Sequence, residues 1–84
     1  MGAATETEVR QLDELLAMLS ECAEPEESRA AQEHIQAART HLLGAMNAEY
    51  AMSLELVREA VSGISDDNVR AEAEGILKSL IERN

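Results

Sequence analysis

Two histidines, His34 and His41, stand seven residues apart and share a helical ridge with Glu27. Imidazoles bind metals, but two helical turns place these two roughly 10 Å apart, too far for one ion within a single chain. Helical di-metal sites carry Glu three residues before His. Those positions hold Ala31 and Ala38, and no H-E-x-x-H occurs. Carboxylates are abundant, notably in Glu24-Pro25-Glu26-Glu27 and Asp66-Asp67. Acid–base catalysis needs two of them in environments that push their pKa values apart. Clusters at helix starts are instead explained by capping and by the helix dipole. A calcium loop would need alternating Asp followed by Gly, and no serine elbow or Gly-rich phosphate loop is present. The expectation is therefore a protein that is not an enzyme, with no cofactor and no metal.

The chain has 84 residues and a formal charge of -10, from 17 acidic and 7 basic side chains. Such a surface repels phosphate, and Phe and Trp are absent, so bases have almost nothing to stack on. Direct nucleic-acid binding is not expected. Leu, Ile and Val make up about a fifth of the chain, near the lower edge for folded domains. Fourteen alanines and a single proline favour helix. The one cysteine, Cys22, has no partner for an intrachain disulfide and reads as a small core residue in a reducing, cytoplasmic setting. The longest apolar run, Leu15 to Leu19, is far short of a membrane span. No basic-then-apolar leader opens the chain, and Glu6 stands where a myristoylation motif needs Ser or Thr. No membrane association is expected.

The elements follow from period and punctuation. Residues 1–5 are expected to be disordered, and 6–84 to form one helical domain with helices at about 6–23, 26–62 and 66–82. Thr5 and Glu8 have capping-box spacing, after which Val9, Leu12, Leu16, Leu19 and Ala23 mark an apolar stripe widened by Leu15 and Cys22. Pro25 ends this helix and suits the first turn of the next. From there an apolar stripe runs through Ala31, Ile35, Ala38, Leu42, Met46, Tyr50, Val57, Ala60 and Ile64. No proline and only Gly44 interrupt it before Ser62, which predicts a rod of roughly 55 Å. A break at Gly44 is the competing reading. Gly63 with Ile64 suggests a Schellman ending, and Ser65 or Asp66 a cap for the last helix. That helix buries Val69, Ala73, Ile76, Leu77, Leu80 and Ile81.

The fold class expected is all-α: a three-helix antiparallel arrangement, its long central helix flanked by two shorter ones. So thin a monomer points to completion by dimerisation into a helical bundle. Ala30, Ala37, Gly44 and Ala51 recur by sevens, a spacing that lets helix backbones approach closely. In an antiparallel homodimer crossing at Gly44, Arg39 of one chain would meet Glu49 of the other. Leu43, Met52 and Leu54 sit at the margin of the main stripe, where they would be partly wet. These nine residues form the expected interaction surface.

Tyr50, Ser53-Leu54, Val57 and Ala60-Val61 resemble the second helix of a tetratricopeptide repeat over about a dozen residues. The resemblance implies a peptide-binding or chaperone-like module. Thr40, His41 and Gly44 do not supply the preceding helix's pattern, and no 34-residue repeat occurs elsewhere. The functional expectation is a small acidic protein–protein interaction module, an adaptor, regulator or chaperone-like protein that docks helices. The alternative is an acidic inhibitor, or nucleic-acid mimic, occupying a basic surface of its target.

Overall fold

The computed structural model describes residues 3–83, with side chains placed from Glu6 to Arg83. Four helices follow one another: α1 (Ala3–Cys22), α2 (Pro25–Leu43), α3 (Asn47–Val61) and α4 (Asp67–Arg83). The molecule is all-helical among the described residues, but the three-helix arrangement is overturned because the expected rod is two helices. Helix α1 takes in Ala3 to Thr5, so Thr5 lies inside it and is not its N-cap. Met1 and Gly2, in the expected disordered start, lie outside the described residues, as does Asn84.

Each helix packs on its neighbours in sequence, and α4 closes the ring against α1. Short connections make successive helices antiparallel. Cross-helix contacts agree: Gln11 Nε2 donates to Ser79 Oγ at 3.2 Å, and Arg39 Nε meets Asp13 Oδ1 at 3.1 Å. One core draws on all four helices, with Leu12, Leu15 and Leu19 facing Ala31, Ile35 and Ala38, then Tyr50, Leu54 and Val57, then Ala73, Leu77 and Leu80.

Helix α2 ends at a Schellman motif. Met46 N donates to His41 O at 2.8 Å and Ala45 N to Leu42 O at 3.1 Å, the paired bonds that close such a turn. The left-handed position is filled by Ala45, at φ 57°, and not by the glycine before it. Gly44, at φ -89° and ψ 6°, has a conformation open to any residue. With the chain reversed here, the extents are 35 × 19 × 19 Å and the radius of gyration is 11.8 Å. A compact domain of this length has a radius near 12 Å. The thin, elongated monomer that called for a second copy is thereby replaced by a compact one.

The α3–α4 connection is built differently. Gly63 and Ile64 end α3 through tight bonds to Ala60 O and Val61 O, without the Schellman pattern expected there. Ile64 nonetheless folds back into the core, 1% exposed. Ser65 donates through both N and Oγ to Glu27 Oε1 at 3.1 Å, which ties this corner to the start of α2. Asp66 caps α4, its Oδ1 accepting from Asn68 N at 2.9 Å and Val69 N at 3.0 Å. Arg70 reaches back to Ile64 O at 2.6 Å and pairs with Asp67. Pro25 opens α2 as expected, whereas Cys22, expected in the core, is exposed at the end of α1.

Candidate functional site

On α3, Tyr50, Ser53, Leu54, Val57 and Val61 turn inward and fix which side of the helix is left outside. The outer side carries Ala48, Met52 and Leu56, four residues apart and hence stacked one turn above the next. Met52 is 66% exposed and Leu56 41%. Leu43 and Met46 are also exposed, at the α2–α3 turn that precedes the strip. Scattered exposed leucines are ordinary on a protein surface; a contiguous group of large apolar side chains is not.

Carboxylates border this strip. Glu49 lies three residues before Met52, Glu55 three after it, and Glu59 three after Leu56, and all are exposed. Arg58 is the one cation on α3, and its Nη1 stands 3.6 Å from Glu55 Oε1. Arg58 also lines a cleft of about 470 Å³ between α3 and α4, with Leu77, Lys78 and Ile81, so it stands towards α4 and away from Met52.

The nine expected interaction residues fall into separate groups. Leu43 and Met52 are exposed, whereas Leu54 is buried at 1% and belongs to the core. Ala30 and Gly44 are exposed, and Ala37 and Ala51 half-buried. Because α2 and α3 fold back on each other, Ala30–Ala37–Gly44–Ala51 is no longer one row on one rod. Arg39 pairs with Asp13 of α1 at the exposed surface, and Glu49 faces solvent. The antiparallel crossing at residue 44 that would have joined Arg39 to Glu49 has no straight helix to run on. Leu56 is the part of the strip that sequence reasoning passed over. Its signal was the four-residue step from Met52, which puts the two on one helix face in either reading.

Two groups with possible chemistry occupy other places. His34 and His41 are half-buried, and His41 Nδ1 is enclosed without a hydrogen-bond partner. Among the described residues, no group of three or more His, Cys, Asp or Glu could hold a metal ion. Tyr50 is buried at 1%, and its hydroxyl lies near Glu8 without forming a well-made hydrogen bond. Burial, followed by the Glu8 charge, pushes the phenol well above its usual pKa, so Tyr50 is neutral. A buried hydroxyl without a partner costs desolvation and gives little back. Tyr50→Phe is therefore expected to leave stability unchanged or to raise it by up to about 1 kcal/mol. Thermal unfolding measures this; a loss of about 1 kcal/mol would show that Glu8 does accept the hydroxyl proton.

Fold and surface define a compact four-helix domain, strongly acidic, with an apolar strip along one helix. No protein-family model, curated protein or solved structure matches the chain. No helix among the described residues is long and apolar enough to cross a membrane.

Proposed function

We propose that this protein is a small acidic interaction module that works by docking a helix of another protein, without turning over a substrate. The observation that carries the reading is the outer strip of α3, where Met52 and Leu56 remain in water while Tyr50, Leu54 and Val57 of the same helix are buried. Burying such side chains is worth on the order of 1 kcal/mol or more each, a gain available only to a complex. Methionine adapts its shape to different partners, which suits a docking surface. A cytoplasmic setting suits the free cysteine. A second copy of the chain is one candidate partner, and the acidic-inhibitor reading rests on the net charge of -10.

The test compares wild type with a Met52→Gln/Leu56→Gln variant as affinity baits in extract of the source cell. Both substituted positions are exposed, so circular dichroism and melting temperature should be unchanged. Partners retained by wild type in about 0.5 M salt and lost from the variant support apolar docking. Partners that persist on the variant but leave in salt decide for the electrostatic inhibitor.

A further inference from the structure

The charge around the strip selects what can cover it, an inference that rests on the helix-docking reading. We propose that the outer face of α3 is the docking site for a basic amphipathic helix, its apolar side on Met52 and Leu56 and its Lys or Arg flanks against Glu49, Glu55 and Glu59. Helices recognised in this way present apolar anchors at i, i+3, i+4 and i+7. The strip offers the matching ridge: Ala48, Met52 and Leu56 span two turns, roughly 12 Å. Ala48 leaves room at one end for a large side chain from the incoming helix.

Charge complementarity argues for a basic occupant over a second copy. Two copies meeting through α3 would bring together two sets of Glu49, Glu55 and Glu59, on molecules that each carry -10. Like charges facing one another across an interface disfavour it. Arg58, the only basic residue of α3, is already near Glu55 and lines the cleft towards α4. A helix with Lys or Arg beside its apolar side answers all three carboxylates at once. Long-range attraction to the acidic domain would also speed its arrival. The two functional readings thus describe one surface: apolar contact holds the partner and acidic flanks select it.

The probe is a designed, fluorescein-labelled helical peptide of about 18 residues, with leucines on one side and lysines flanking them. A second peptide keeps the leucines and replaces the lysines with glutamates. Amide shifts of isotope-labelled protein map the contact, and fluorescence anisotropy gives affinity. The expected result is binding of the lysine peptide, shifts centred on Ala48, Met52 and Leu56, and affinity at least about tenfold above the glutamate peptide. Met52→Gln/Leu56→Gln should weaken binding about tenfold with the fold intact. Neutralising Glu49, Glu55 and Glu59 to Gln should cost several-fold more affinity than neutralising the exposed Glu26, Glu33 and Glu72, a change of equal charge elsewhere.

Equal binding of the two peptides, or equal loss in the two neutralised variants, overturns the charge selection. Shifts centred on the α3–α4 cleft overturn the choice of face, and no binding by the lysine peptide overturns the proposal. A wild-type dimer in sedimentation that becomes monomeric in Met52→Gln/Leu56→Gln gives the face to a second copy. The helix-docking reading survives each of these outcomes so long as cellular capture still depends on Met52 and Leu56.

Discussion

Leu54→Asp is expected to unfold this domain, and Met52→Asp, two positions earlier on the same helix, to leave it folded. Leu54 is 1% exposed and belongs to the core shared by all four helices. Removing a buried leucine side chain costs about 2–5 kcal/mol, and an unpaired carboxylate in its place adds several more. A domain of this size has about 4–12 kcal/mol of total stability to lose. Met52 is 66% exposed, so its replacement should change stability by less than about 0.5 kcal/mol plus a small helix-propensity cost. Far-ultraviolet circular dichroism and thermal melts would separate the two. A cooperative, native-like melt for Leu54→Asp would place Leu54 at the surface and remove α3 from the core.

The same pair of residues shows where the sequence was readable and where it was not. Within each unbroken stretch, the 3.6-residue period gave the right face. Leu12, Leu15 and Leu19 of α1, Ala31, Ile35 and Ala38 of α2, and Ala73, Leu77 and Leu80 of α4 are all buried. Punctuation by Pro25 and Asp66 also held, because a ring without an N–H and a carboxylate that accepts two amide protons act locally. The error entered at residue 44. Carrying one helical wheel across a turn preserves a phase that the chain does not preserve. On the imagined rod, Met46 lies in the apolar stripe and Leu54 beside it. In the folded chain, α3 rotates relative to α2, so Met46 is 43% exposed and Leu54 1%. Tyr50, Val57 and Ile64 are buried in either phase, which is why the stripe looked continuous.

The exposed face depended on that correction. Met52 was already among the expected interaction residues, but its neighbour Leu56 had no role on the rod. Cys22 failed for a simpler reason: it is the last residue of α1, and it is exposed there although Leu19, in the same turn, is buried. Burial statistics for cysteine do not register where a helix stops.

Why a continuous helix looked better than a break at Gly44 leads to an expected result of opposite sign on the two readings. Glycine normally fills the left-handed position that ends a helix, since a Cβ there is crowded. Here Ala45 occupies it, at φ 57°, and Gly44 stands one place early at φ -89°. Two small residues in the wrong order look like an ordinary stretch of helix. Ala45→Gly is therefore expected to stabilise the domain by about 1 kcal/mol, relieving the strained alanine. For a chain of this size that is a rise in melting temperature of about 4–8 °C. Gly44→Ala should add about 0.5 kcal/mol by reducing the freedom of the unfolded chain. The space is available, because a Cβ at Gly44 would meet Thr40 O at 3.4 Å and Met46 Cγ at 3.7 Å. Were α2 and α3 one continuous helix, Ala45→Gly would instead cost about 1 kcal/mol, the penalty for glycine in a helix interior. Calorimetry of the two single variants and the swapped pair separates these cases by sign. A lower melting temperature for Ala45→Gly would restore the long helix, and with it the thin monomer that required a second copy.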